Sequence, residues 1–102
     1  MQKRKRQALE ADGWKVGTTR EFLRLSDDEA TLIDVKLALG RALKERRTRQ
    51  RLSQAAVAAR IRSSQSRVAK MESGDSTVSI DLLVRTLLAL GASRKDVAKF
   101  LG

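Results

Sequence analysis

Residues 53–74, SQAAVAARIRSSQSRVAKMESG, constrain the fold more than any other stretch of the chain. Ser53 is placed to cap a helix, and Ala55, Ala56, Val57, Ala58 and Ala59 make that helix slim. Val57 and Ile61 fall on one face at helical spacing. Ile61-Arg62-Ser63 interrupts the pattern as a tight turn, and Ser63 or Ser64 caps a second helix over Gln65–Ser73. Val68 and Met71 anchor the second helix inward, while Gln65, Ser66, Arg67 and Lys70 stay on its outer face. Gly74 stands where helices commonly end in a left-handed residue. Ala58 is small where the second helix must cross the first. Two short helices joined in this way, with polar side chains on the exposed start of the second, can set that start in the major groove of DNA.

The flanking sequence supplies further helices. Ser26 with Glu29 three residues later forms a capping box, and Asp27, Asp28 and Glu29 suit the positive end of a helix dipole. Leu32, Val35 (or Lys36), Leu39 and Leu43 then recur at helical spacing, and Ile33 and Leu37 widen the stripe. This helix is expected to reach residues 48–50. Gly40 inside it costs up to about 1 kcal/mol against Ala, and marks either a close crossing or a break. Ser79 caps IDLLVRTLLAL, apolar nearly all round, which suits a central core helix or one also used in dimerisation. Gly91 closes it. Ser93, with Asp96 three residues on, starts a last helix that carries Val97, Phe100 and Leu101. The chain has no Pro. The expected architecture is all-α, with five or six helices over residues 26–102. Residues 1–25 form a short N-terminal extension: a basic tail, a turn at Asp12-Gly13, and a segment holding Trp14 and Phe22. That segment either folds back over the core or docks a second protein.

Charge decides which partners are worth considering. The net charge is +10, but residues 41–74 alone hold ten basic side chains against two acidic. Residues 1–40 hold eight against seven. The excess is therefore local, and polyanions are its natural partners. Six cations (Arg41, Lys44, Arg46, Arg47, Arg49 and Arg51) crowd the end of the long helix. Cations there suit the helix dipole, yet six exceed what capping needs, so phosphate contact is the better account of Arg46, Arg49 and Arg51.

From Leu52 to Gly74 the chain resembles the helix-turn-helix of lambdoid phage repressors and Cro, the XRE family. Val57, Ala58, Ile61, Val68 and Met71 stand at its core positions, and the resemblance extends from about Val35 to Ser93. It implies a lambda-repressor-like domain. It further implies that Gln54 meets the DNA backbone, that Gln65 and Ser66 open the recognition helix, and that Glu72 pairs with a basic residue of the long helix, here Arg47. One departure stands out. The family usually has Gly in the turn, where this chain has Arg62, and a left-handed non-Gly residue costs roughly 1–2 kcal/mol. A phosphate contact by Arg62 would offset part of that. The segment before the motif, GWKVGTTREFLRLSDDEATLIDVKLALGRAL, is similar to HigA-type antitoxins. That likeness implies autorepression of an operon and binding of a ribonuclease-type toxin, with Trp14 and Phe22 as candidate contacts.

The chemistry of the side chains gives each a role. Gln bonds bidentately with adenine N6 and N7, which makes Gln65 the first base reader. Ser66 is less discriminating, and Arg67 and Lys70 reach guanine or a phosphate. Gln54, Ser64, Arg46, Arg49, Arg51 and Arg62 position the phosphate backbone. The expectation is a repressor that binds double-stranded DNA as a homodimer on a pseudo-palindromic operator. It acts either as an antitoxin or as a phage or chromosomal repressor with no toxin partner. An RNA or nucleoid role is weaker, because the three aromatics lie away from the basic patch and offer single strands no stacking platform. Catalysis is not expected. Without His or Cys the chain lacks Ser/His and Cys/His nucleophile pairs and the commonest metal ligands. No cofactor, metal site or membrane span is expected, since no apolar run nears the roughly 20 residues a span requires. A cytoplasmic protein is the default.

Overall fold

The computed structural model describes residues 26–102, and the Trp14 and Phe22 expectations lie outside them. Among the described residues the chain is all-α: α1 (Asp27–Arg49), α2 (Gln54–Arg60), α3 (Gln65–Ser73), α4 (Ile80–Ala89) and α5 (Arg94–Leu101). The chain divides within α1, after Ala30. The first turn of α1 is capped as its sequence predicts. The Ser26 hydroxyl accepts from the Glu29 amide at 3.0 Å, and the Glu29 carboxylate accepts from the Ser26 amide at 3.0 Å.

Serines start the other four helices. Ser53, Ser64, Ser79 and Ser93 each sit in extended conformation and accept a bond from an amide in the first turn. Such caps satisfy donors that a helix start otherwise leaves unpaired. At α5 the box is complete, with Asp96 reaching back to the Ser93 amide at 2.9 Å.

The core of residues 31–102 is built by every helix. Leu39, Leu43, Val57, Val68, Met71, Leu83 and Leu87 are fully buried, and Val35, Leu52, Ile61, Ile80, Val97 and Phe100 pack around them. α4 contributes a core face and an exposed one. Leu83 and Leu87 lie inside, and Leu88 on its far side is exposed. Thr86, although polar, is buried because its hydroxyl donates to the Leu82 carbonyl at 2.8 Å.

Two expectations change. Leu32, Ile33 and Leu37 widen the apolar stripe of α1 in sequence, yet all three are exposed. The reason is length. At 1.5 Å per residue, the 23 residues of α1 extend about 34 Å, while the 7 to 10 residues of α2, α3 and α4 extend no more than about 15 Å. Leu32 and Ile33 therefore outrun α2–α4, whereas Leu37, a turn further on, lies against Gly74 and is only partly uncovered. Leu101, at the end of α5, is likewise exposed.

Candidate nucleic-acid interface

The turn between α2 and α3 sets the geometry of the region. Ile61 closes α2 by bonding its amide to the Val57 carbonyl at 3.1 Å, and the Ser63 amide reaches the Ala58 carbonyl at 2.8 Å. Arg62, between them, is left-handed at φ 57°. Arg51, at the end of α1, is left-handed too at φ 58°. There the Leu52 amide bonds back to the Arg47 carbonyl at 3.0 Å, the pattern that ends a helix at a left-handed residue. Glycine adopts this conformation at no steric cost. Both ends of α2 are therefore flanked by arginines where glycine would be least strained, and both side chains are exposed. The sequence signalled the Arg62 position. It gave no sign of Arg51.

α3 presents one apolar face and one polar face. Val68 and Met71 are fully buried, while Gln65, Ser66, Arg67, Ala69 and Lys70 are exposed. Gly74 ends the helix left-handed at φ 70°, and the Asp75 amide bonds to the Lys70 carbonyl at 3.0 Å. The chain then turns through residues 75–79 into α4. A cleft of about 310 Å³ separates α3 from this loop. Ser66, Arg67 and Lys70 line one side, Thr77 and Val78 the other, and the α3 cap Ser64 lies at the same cleft. Gln65 is exposed at the first position of α3 but is not among the residues lining the cleft. The loop is shaped by Asp75, whose carboxylate accepts from the Thr77 amide at 2.8 Å and the Thr77 hydroxyl at 2.6 Å. Those bonds, hydroxyl first, hold the Asp75 carboxyl below the usual carboxylate range.

The back of α3 is fixed against α1. A Cβ placed on Gly40 would meet the Met71 carbonyl oxygen at 2.5 Å and that of Glu72 at 2.9 Å. Gly40 therefore marks a close crossing, not a break. Nearby, Arg47 and Glu72 form a two-pronged ion pair, Nε to Oε2 at 2.5 Å and Nη2 to Oε1 at 3.1 Å. Their side chains are only 12% and 5% exposed, so water screens the pair little. The bond to Glu72 raises the Arg47 pKa above its ordinary value, against the opposing effect of burial. Arg47 also donates to the Leu52 carbonyl at 2.9 Å, and Gln54 donates to Glu72 Oε1 at 3.1 Å. One carboxylate thus ties together α1, the start of α2 and the end of α3.

These contacts divide the predicted residues. Gln65, Ser66, Arg67 and Lys70 share the exposed surface of one helix. Arg49, Arg51 and Arg62 are exposed around it. Ser64 is the α3 cap, its hydroxyl accepting from the Arg67 amide at 3.2 Å. Gln54 uses one amide proton inside the fold and retains a second donor. Arg46 is drawn toward α5, with Nη2 3.3 Å from Asp96 Oδ2, and its buried Nε has no hydrogen-bond partner among the described residues. Two of the six cations at the end of α1 therefore serve the fold. The surface as a whole is a rigid polar helix beside a cationic, hydroxyl-lined cleft. Its donors can bond base edges and phosphate oxygens. Among the described residues no cluster of three or more carboxylates could hold a metal ion, and no helix is long and apolar enough to cross a membrane.

The model of a family described as "Helix-turn-helix domain" matches residues 38–100. No curated protein and no solved structure matches the chain significantly.

Proposed function

We propose that this chain, which belongs to the helix-turn-helix domain family, is a sequence-specific repressor that reads duplex DNA with α3. The observation that carries the reading is the exposed face of α3, polar and cationic, locked from behind by the Gly40 crossing and the Arg47–Glu72 pair. A reading helix has to be held rigidly, because bidentate bonds to base edges tolerate little misplacement. Gln65 bonds an adenine, Ser66 and Lys70 contact neighbouring edges, and Arg67 serves a guanine or a phosphate. Gln54, Ser64, Arg49, Arg51 and Arg62 hold the backbone. Arg46 contributes with the part of its guanidinium that Asp96 leaves outward. The arrangement is of the XRE type, bound as a homodimer to half-sites roughly 10 bp apart or a multiple of that.

A protein partner is a second element of the proposal. The likeness of the N-terminal segment to HigA-type antitoxins, and the exposed Leu32 and Ile33 early in α1, favour a partner-binding surface at this end of the chain. In that reading Trp14 and Phe22 meet a ribonuclease-type toxin, and the chain represses its own operon from the cytoplasm.

The test begins with a random-sequence duplex pool, enriched for binding by the full chain. Affinity for the enriched duplex should fall steeply with salt. Gln65→Ala should lose about 1–3 kcal/mol of discrimination at one base pair. Arg49→Ala should weaken all sequences alike and reduce the salt slope by about one. Failure of the pool to enrich, with equal binding to every duplex, would overturn sequence-specific repression.

A further inference from the structure

The loop that forms the far wall of the α3 cleft is held from outside by a residue that no reading of the motif includes. Lys36 of α1 donates from Nζ to the Ser76 carbonyl at 3.1 Å, across forty positions of sequence. Other contacts fix the ends of the same loop. At its start Gly74 lies hard against Leu37, where an added Cβ would meet Leu37 Cδ2 at 2.8 Å. At its end Val78 is buried and Ser79 caps α4. Between those ends the loop has the Asp75–Thr77 turn and the Lys36 bond. Thr77, next to the tethered carbonyl, faces Ser66, Arg67 and Lys70 across the cleft.

We propose that Lys36 is a positioning residue of the DNA interface. By holding the Ser76 carbonyl it sets the wall of the α3 cleft, and so sets DNA affinity without touching DNA. This rests on the reading of α3 as the DNA-reading helix. The chemistry suits a long-range tether. An ammonium offers three donors on a flexible stem, and a bond from a charged donor to a carbonyl is stronger than a neutral one. Loss of that bond leaves the Asp75–Thr77 turn with its internal bonds but without its tether to Lys36.

The test uses the full chain and the duplex enriched above. Lys36→Met keeps the length of the stem and removes the donor. It should weaken binding about three- to tenfold, the net effect of one solvent-exposed hydrogen bond. That factor should be the same at every salt concentration, because no phosphate contact is lost. A direct phosphate contact would instead flatten the salt slope by about 0.9. Lys36→Arg should recover most of the affinity. In the free protein, amide exchange at Thr77 and Val78 should quicken in Lys36→Met while α3 stays protected. That local pattern separates positioning from general destabilisation. Unchanged affinity, a flattened salt slope, or unchanged exchange at Thr77 and Val78 would each overturn the role of Lys36 and leave α3 as reader intact. If the wild-type chain enriches no duplex, the reading of α3 fails first and the role of Lys36 fails with it.

Discussion

Replacing Gly40 with alanine should destabilise the domain, although helix propensity alone predicts the reverse. In a helix interior alanine is favoured over glycine by about 1 kcal/mol. At this position the new methyl would sit 2.5 Å from the Met71 carbonyl oxygen and 2.9 Å from that of Glu72, where ordinary contact begins near 3.4 Å. Both opposing atoms are backbone, so no side chain can rotate out of the way. α3 would have to retreat by close to an ångström, straining the bonds that join Glu72 to Arg47 and Gln54. Overpacking of this kind costs about 1–3 kcal/mol, and backbone opposition argues for the upper end. Set against the propensity gain, the net loss is about 2 kcal/mol. For a domain of this size that lowers Tm by roughly 8–16 °C. Thermal unfolding of Gly40→Ala and wild type, followed by circular dichroism, measures it directly. The displaced α3 should also bind the enriched duplex more weakly. A variant that melts at or above the wild type would show that α1 and α3 separate at little cost, and the account of a backbone-limited crossing would fall.

Arg47→Met leaves the Glu72 carboxylate nearly buried with only Gln54 as a side-chain donor, and should cost about 3 kcal/mol in urea unfolding. An unchanged midpoint would mean that water already screens the pair. Arg62→Gly should move stability and affinity in opposite directions: relief of the left-handed strain raises Tm by a few degrees, while loss of a cation weakens binding at low salt. Both quantities falling together would place the worth of Arg62 in the fold. The Ser93 amide, followed by the Ser93 hydroxyl, holds the Asp96 carboxyl below its ordinary value of 3.8, and Thr77 does the same for Asp75. Their stabilisation is therefore present above about pH 4 and lost as pH falls through the lowered values. Melts between pH 5 and 2 should show this loss, and Asp96→Asn should flatten it.

The helices and their starts were legible because local chemistry decides them. A serine before an apolar-periodic run is favoured as a cap by local chemistry alone, and each of Ser53, Ser79 and Ser93 caps where its sequence indicates. Of the two serines at the third start, Ser64 takes the role, its hydroxyl accepting from the Arg67 amide, while the Ser63 amide closes the turn onto Ala58. What sequence could not decide depends on distance across the fold. Among the six cations at the end of α1 the resemblance singled out Arg47 as the partner of Glu72, but nothing in sequence separated Arg46, which turns to Asp96, from Arg49, which faces out. The apolar positions Leu32 and Ile33 were visible, but the limited reach of the helices opposite them was not. Lys36 was hidden for the same reason, since its partner is a backbone carbonyl forty residues away.

The strain at Arg51 and Arg62 is best understood together with the buried ion pair. A left-handed arginine persists only where neighbouring contacts over-determine the turn. At Arg51 those contacts are specific. The Leu52 amide bonds to the Arg47 carbonyl, and the Arg47 guanidinium bonds to the Leu52 carbonyl. Arg47 thus closes the turn from both ends of its own residue, and with its remaining donors grips Glu72 at the end of α3. At Arg62 the Ser63–Ala58 bond does similar work, with Ile61 packed on the core just before it. Glycine at both positions would reach the same backbone shape without strain, but it would carry no charge. Arginine keeps the shape at a cost of about 1 kcal/mol or more each and places an exposed cation beside either end of α2. That cost is intelligible if the charges meet an anion. On the proposed reading, the phosphates of a duplex engaged by α3 are such anions.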